Sequence, residues 1–270
     1  MSQVFDALQR SGIGLPGLEP TAESSREVDT AGLDALPSFQ IETLPEHRLV
    51  TWAAERSVAA ERIRMLGVRL RQFQQQRAAK TLLITSSIKD EGKSILSANI
   101  AISLAKAKQR ILLIDGDHHQ GSLAQIFGTG RSPGLTEWWY TRNPILSYIR
   151  RVHGLPLWFL PSGEPLVQAV EMLQSRRISE MLVQVTSWFD WVIIDSPPFA
   201  PVADSAIWTG LTDATLLLVR LGKTPKKVLD KVVGALDPRK LVGVVLNECA
   251  DPHRAYYAQY YKGIPNVDGR

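Results

Sequence analysis

Short apolar runs alternate with longer mixed segments along most of the chain. From Lys80 onward, six runs are too brief for helices and read TLLITS, RILLIDG, LWFLP, WVIID, ATLLLV and LVGVVLN. Near-continuous apolar strands of this kind are typical of a parallel sheet covered on both faces. Helical patterns separate the runs, notably at 93–107, 166–187, 202–210 and 225–236. The alternation predicts a doubly wound, mainly parallel α/β domain.

The pattern ahead of this domain is weaker. An amphipathic turn near the start would place three apolar side chains together, Val4, Phe5 and Leu8. Residues 11–46 have little periodicity and predict a mostly disordered linker. A helical pattern follows from Thr51 to Gln76. We therefore expect three parts: a disordered or partner-docking segment at 1–46, the α/β domain at 47–250, and a C-terminal tail at 251–270.

Composition narrows the class of protein. Hydrophobic residues make up 44% of the 270 residues, which is typical of a globular protein. The sequence shows neither an 18-residue apolar stretch nor a secretory signal, and its one cysteine, Cys249, excludes an internal disulfide. These features predict a cytoplasmic protein. The net charge of +4 permits contact with acidic groups, but we expect no nucleic acid partner.

A candidate phosphate-binding loop follows the first apolar run. Glu91, Gly92, Lys93 and Ser94 stand where the predicted strand gives way to a helix. Backbone N–H groups of such a turn bind phosphate oxygens, the lysine neutralises β/γ-phosphate charge, and the serine hydroxyl ligates Mg²⁺. The match to the usual eight-residue motif is incomplete, because Ser87 occupies the position of its first glycine. A surface loop before a helix is the competing interpretation of this stretch.

Three carboxylates strengthen the nucleotide interpretation. Asp115 lies near the end of the second apolar run and Asp117 directly after it, and Asp195 ends a later run. In open α/β sheets, ligands bind beyond the carboxyl ends of the strands, so these groups should converge there. Each aspartate could instead cap the helix that follows it. Their coincidence with the Gly-Lys-Ser loop predicts a Mg²⁺–nucleotide site.

Several motifs together resemble the bacterial tyrosine kinases (BY-kinases) of capsule and exopolysaccharide assembly, which are P-loop proteins. The resemblance covers about residues 55 to 262 and is carried by TSSIKDEGKS, ILLIDGD, WVIIDSPPFAPVADS and GVVLN. A C-terminal tyrosine cluster, typical of the family, is also present and comprises Tyr256, Tyr257, Tyr260 and Tyr261. The partitioning and septum-site ATPases of the same superfamily carry a lysine where this chain has Ile88.

The resemblance implies roles for individual residues. Lys93 would bind the β/γ-phosphates of ATP, and Asp115 would accept the proton of the attacking tyrosine or orient its hydroxyl. Asp117 would act with them in catalysis. The Mg²⁺ ligands, direct or through water, would be Ser94, Asp117 and Asp195. The residues in contact with the nucleotide would be Asp90, Glu91, Gly92, Lys93, Ser94, Ile95 and Asn247, the last of them at the adenine.

The implied function is an ATP-dependent protein-tyrosine autokinase that regulates exopolysaccharide or capsule synthesis. It would phosphorylate its tyrosine cluster in cis or in trans. A separate transmembrane chain-length protein, a polysaccharide co-polymerase, would recruit it to the inner face of the membrane, and it could form a homo-oligomer. Departures from the family pattern at Gly67, Ile95 and His119 favour an alternative, a catalytically weak nucleotide-binding scaffold. A partitioning-type ATPase is a third hypothesis.

Overall fold

One eight-stranded sheet with helices on both faces forms the fold in a computed structural model. The structure describes residues 30–42, 44, 47–200 and 203–248. Its strands are β1 Ser38–Phe39, β2 Thr81–Ser86, β3 Ile111–Asp115, β4 Arg150–Val152, β5 Leu157–Leu160, β6 Trp191–Asp195, β7 Ala214–Arg220 and β8 Leu241–Asn247. Its α-helices are α1 Thr30–Asp34, α2 Val50–Ala53, α3 Val58–Arg77, α4 Lys93–Lys106, α5 Ser122–Ile126, α6 Leu135–Tyr140, α7 Ala169–Gln174, α8 Arg176–Trp188, α9 Ala203–Leu211 and α10 Lys226–Ala235.

The strand order confirms the predicted doubly wound architecture. The strands lie in the order β1-β4-β5-β3-β6-β2-β7-β8, and neighbouring strands are parallel except for β4 and β5. Every residue of β2, β3 and β6 is buried, as continuous apolar runs require. Strand β2, which precedes the phosphate loop, therefore lies inside the sheet. Its carboxyl end lies beside those of its neighbours β6 and β7.

Helix α4 is the buried helix that carries the phosphate loop. It packs on the sheet face formed by residues such as Ile84, and Leu96 and Ile100 belong to the same core cluster. On its outer side, α3 packs against it, and Gly67 of α3 faces Leu104 of α4. A Cβ atom added at Gly67 would lie 3.4 Å from Leu104 Cδ2. Packing on both sides buries most of α4, whose N-terminus follows β2 through the phosphate loop.

The helical pattern from Thr51 to Gln76 folds as two helices. They are α2 and α3, and Ser57 separates them in an extended conformation and caps α3 by accepting a hydrogen bond from the Ala60 N–H at 3.1 Å. The serine side chain satisfies a backbone donor that the start of the helix leaves free, so a new helix begins there.

The linker prediction is wrong for the part of 11–46 that the structure describes. Leu33 and Ile41 are buried, β1 pairs with β4, and the indole N–H of Trp158 donates a hydrogen bond to the Leu33 carbonyl at 3.0 Å. A few apolar side chains in a polar stretch suffice to dock it on a sheet edge, although they give no periodic signal.

Other predictions fall outside the described residues. These are the amphipathic turn at Val4, Phe5 and Leu8, the thiol of Cys249 and the C-terminal tyrosine cluster. Within the part that is described, none of the helices has the length and apolar character needed to cross a membrane.

Candidate nucleotide-binding site

The phosphate loop runs from Ser87 to Ser94 between β2 and α4. Gly92 adopts a left-handed conformation with φ of +94° immediately before α4. A Cβ atom at this position would lie 2.7 Å from the Asn247 side-chain nitrogen. The left-handed backbone favours glycine here, and an added Cβ would also have to displace the Asn247 side chain. The loop ends on the N-terminus of α4, where free N–H groups and the helix dipole favour an anion.

Two acidic residues of the loop stabilise its shape through different groups. Asp90 takes a left-handed conformation with φ of +61°, which few residues other than glycine and Asn or Asp adopt. The buried Glu91 carboxylate points inward and accepts hydrogen bonds from the Ile88 N–H at 3.0 Å, from the Arg220 N–H at 3.3 Å and from the Thr224 hydroxyl. Because this carboxylate is occupied within the fold, any contact of Glu91 with a nucleotide would come from its backbone.

Lys93 forms a buried ion pair at the centre of the site. Its Nζ lies 2.9 Å from Asp117 Oδ2, and the two side chains are only 9% and 1% exposed. Burial lowers the pKa of Lys93, but the negative charges of Asp195 and Asp117 outweigh that effect and raise it. The lysine is therefore held in the charged form, which is the form that binds phosphate.

Asp115 is fully buried at the end of β3. Its carboxylate accepts hydrogen bonds from the Asp117 N–H at 3.2 Å and from the Leu123 N–H at 3.3 Å. Burial, followed by the charges of Asp195 and Asp117, raises the pKa of Asp115 well above its usual range. A carboxylate with a raised pKa is a stronger base than an ordinary aspartate, as a proton acceptor requires.

Asp195 lies beside Asp115, because their Cα atoms are partners in the parallel pair of β3 and β6. Its Oδ1 accepts a hydrogen bond from the Ser97 hydroxyl at 3.1 Å, and the nearby Ser94 hydroxyl acts to lower the pKa of the carboxylate. Burial raises the pKa of Asp195 to about 6, against the opposing charge of Lys93. Its Oδ2 is buried and has no hydrogen-bond partner among the described residues.

The orphaned Asp195 oxygen fits a cation that lies next to the Ser94 hydroxyl. Mg²⁺ typically takes one or two protein oxygen ligands and completes its shell with water and phosphate oxygens. In the described part of the chain, no cluster of three His, Cys, Asp or Glu side chains has metal-binding geometry. The structure brings Ser94 and Asp195 together, whereas Asp117 is paired with Lys93. The predicted metal role of all three residues stays a prediction.

Asn247 and Ile95 occupy supporting positions. The Asn247 side-chain NH₂ donates a hydrogen bond to the Glu91 carbonyl at 2.8 Å, so the end of β8 holds the loop. Ile95 is partly buried and packs against the core. Neither arrangement tests the predicted nucleotide contacts, and a role of Asn247 at the adenine stays a prediction.

The three residues that depart from the family pattern, Gly67, Ile95 and His119, each contact a neighbouring part of the fold. On α3, Glu61 accepts a hydrogen bond from Arg64 Nε at 2.8 Å, and Gly67 faces α4 as described above. His119 Nε2 lies 3.3 Å from the buried Asp204 carboxylate at the start of α9. The third departure, Ile95, keeps the loop helix packed on the sheet.

Sequence reasoning missed several residues that support the site. Ser97 lies one helical turn after Lys93, and this spacing could have revealed it. Arg220 ends β7 and Thr224 lies in the turn after it, and both donate hydrogen bonds to the loop. The signal for these two is weak, because a polar turn has no periodicity.

The fold and this site define a P-loop nucleotide-binding protein. A family model described as an AAA domain matches residues 83–224, more than half of the chain. Tyrosine-protein kinase CpsD of Streptococcus pneumoniae serotype 4 is 32% identical over 63% of this chain and 76% of its own length. The solved chimerical protein CapA2B2 is 25% identical, with a TM-score of 0.72 over 80% of this chain and 96% of that one.

The chain belongs to the bacterial tyrosine kinase family. The assignment agrees with the residue at position 88. This chain has Ile88 where the partitioning-type ATPases carry a lysine, which argues against that class. Another relative, the succinoglycan biosynthesis transport protein ExoP of Rhizobium meliloti, is 29% identical over 82% of this chain. The chain spans only 30% of the length of ExoP, which is a much larger protein.

Proposed function

We propose that the protein is an ATP-dependent tyrosine autokinase that phosphorylates its own C-terminal tyrosine cluster. The observation that carries the proposal is the convergence of Lys93, Asp115, Asp117 and Asp195 beside the phosphate loop, in a chain of the tyrosine kinase family. The four tyrosines of the tail supply acceptors within the same chain.

The buried charged side chains of the site can each take a role in phosphoryl transfer from ATP to tyrosine. Lys93 would bind the β/γ-phosphates, while Ser94 and Asp195 would hold Mg²⁺ at the orphaned carboxylate oxygen. The bound ion would supply neutralisation of the phosphate charge. A tyrosine oxygen would form a bond to the γ-phosphorus while the bond to the β–γ bridging oxygen breaks, and Asp115 would take the phenolic proton. Such a base is needed because a phenol with a pKa of about 10 is a weak nucleophile at neutral pH.

The proposed cellular role is based on the functions for which the relatives are named. ExoP is named as a transport protein of succinoglycan biosynthesis, which supports a role in exopolysaccharide synthesis for this chain. We propose that the chain acts in the cytoplasm and that a separate transmembrane co-polymerase recruits it to the membrane. The tail would be phosphorylated by its own active site or by that of an identical neighbour.

Phosphosite mapping tests the proposed activity. The purified full-length protein would be incubated with ATP and Mg²⁺, alone and with its membrane partner, and analysed by mass spectrometry. We expect phosphate on tail tyrosines in the wild type and in Lys227→Ala, an exposed lysine on α10, and none in Lys93→Ala. Absence of phosphotyrosine in the wild type under both conditions would exclude the kinase.

A second candidate function is a nucleotide-binding scaffold without kinase chemistry. It is favoured by Gly67, a departure from the family pattern that leaves α3 without a side chain where it faces Leu104. The same experiment separates the two functions if nucleotide affinity is measured in parallel. Binding of Mg²⁺–ADP by a protein that forms no phosphotyrosine would establish the scaffold.

A further inference from the structure

The last residue of β7 and the turn that follows it bind the phosphate loop at two successive residues, Asp90 and Glu91. The Arg220 N–H and the Thr224 hydroxyl both donate hydrogen bonds to the Glu91 carboxylate, the first at 3.3 Å. The Arg220 guanidinium and the Lys223 ammonium donate to the Asp90 carbonyl at 3.3 and 3.4 Å. These contacts hold the part of the loop that has left-handed backbone, so the turn helps to fix the loop's shape.

The same arginine reaches the last described residue of the chain. A second nitrogen of the Arg220 guanidinium pairs with the Glu248 carboxylate, whose other oxygen lies 3.7 Å from Arg48 Nη1. The Leu221 N–H donates to the Asn247 carbonyl at 3.1 Å. Because residue 249 follows directly, the C-terminal segment with the four tyrosines starts at this anchor.

Arg220 therefore touches both the loop that receives the phosphates and the point where the C-terminal segment starts. We propose that Arg220 is a positioning residue that couples nucleotide binding at the phosphate loop to the placement of residues 247–248. A planar guanidinium is suited to this role, because separate nitrogens in a fixed geometry reach the Asp90 carbonyl and the Glu248 carboxylate together. A lysine presents its donors from a single nitrogen and lacks this fixed fork.

The coupling is reciprocal on thermodynamic grounds. A phosphate that fixes the Asp90–Glu91 backbone would also fix the Arg220 guanidinium, and through it the position of Glu248. Conversely, an intact Arg220–Glu248 pair would favour phosphate binding. The pair is partly exposed, with side chains 31% and 37% accessible, so solvent screening keeps the coupling modest. That the anchor presents the tail to the active site rests on the proposed kinase function; the coupling itself does not.

Hydrogen exchange of the full-length protein tests the coupling without relying on catalysis. We expect Mg²⁺–ADP to slow amide exchange in residues 244–248 by about fivefold in the wild type. The slowing should be lost in Arg220→Gln and in Glu248→Gln. Arg239→Gln is the matched control, because Arg239 pairs with Asp237 at 2.9 Å on the exposed connection before β8. It should behave like the wild type.

Nucleotide affinity and thermal unfolding separate coupling from a purely structural role. Glu248→Gln should weaken Mg²⁺–ADP by up to about fivefold while the melting temperature stays near that of Arg239→Gln. Equal protection by ADP in the wild type and in both anchor variants would overturn the proposal, as would absence of protection in the wild type.

A phosphorylation assay addresses the part that depends on the proposed function. We expect Glu248→Gln to reduce phosphorylation of the protein's own tail more than that of a synthetic tyrosine-containing polymer. A wild type without any phosphotyrosine would contradict the kinase proposal alone, since the exchange experiment would still decide whether the anchor and the loop are coupled. Equal loss on both substrates would show that the anchor does not present the tail.

Discussion

The ionised Asp195 side chain should destabilise the protein when no nucleotide is bound. Its carboxylate is fully buried, one of its oxygens has no hydrogen-bond partner among the described residues, and burial raises its pKa from 3.8 to about 6. Replacing it by asparagine removes the charge and keeps an acceptor for the Ser97 hydroxyl. We therefore predict that Asp195→Asn stabilises the nucleotide-free protein at neutral pH.

The magnitude follows from the pKa shift. An acid whose pKa is raised by folding binds its proton more tightly in the folded state, so stability falls as the pH rises from about 4 to about 6. A shift of about two units corresponds to about 3 kcal/mol at higher pH. The new amide NH₂ would lack a partner, which costs about 1 to 2 kcal/mol. A net gain of about 1 to 2 kcal/mol is expected at pH 7.5.

Urea unfolding at pH 7.5 and pH 4, with a chelator present, measures this effect. The gain should disappear at pH 4, where the wild-type carboxyl is largely protonated. Asp213→Asn is the control, because Asp213 accepts hydrogen bonds from the N–H groups of Lys80 and Thr81 and from the Thr81 hydroxyl. That variant should gain no stability at either pH. A less stable Asp195→Asn protein at pH 7.5, or an equal gain at both pH values, would refute the reasoning.

Three other substitutions test the site. Lys93→Met should reduce tail phosphorylation by at least about a hundredfold, because it removes the phosphate-binding charge, and radiolabelled ATP would measure this. Asp115→Asn should lower the rate by about 10²- to 10⁴-fold while Mg²⁺–ADP affinity, measured by calorimetry, changes little; a large loss of affinity would argue against a role as base. Gly92→Ala should cost about 2 kcal/mol in thermal unfolding, from its φ of +94° and its contact with Asn247, and an unchanged melting temperature would contradict the loop geometry.

The sequence pattern predicted the sheet well because its strands are buried on both faces. All six apolar runs contain a strand, including Thr81–Ser86 and Trp191–Asp195, and the carboxylates that follow two of them meet as expected. The strands that were missed, Ser38–Phe39 and Arg150–Val152, are short and only partly apolar. Such edge strands gain their order from pairing with a neighbour, which local sequence does not report.

Helix ends and site details were harder to predict. The pattern at 166–187 runs across Ser175, where the structure separates α7 from α8. Lys93, Asp115 and Asp195 were predictable because motif and strand position agree. The pairing of Lys93 with Asp117, and the use of Asn247 to hold the loop, depend on side-chain packing between distant segments.

The hydrogen bond from Asn247 to the Glu91 carbonyl joins residues 156 positions apart. It bears on the order of events during protein synthesis. The loop and β2 leave the ribosome early, but β8, which supports the loop, is made after nearly all the rest of the domain. A nascent chain therefore cannot complete its phosphate loop until residue 247 has emerged. The loop should therefore reach its full native support only after the last strand of the sheet has paired.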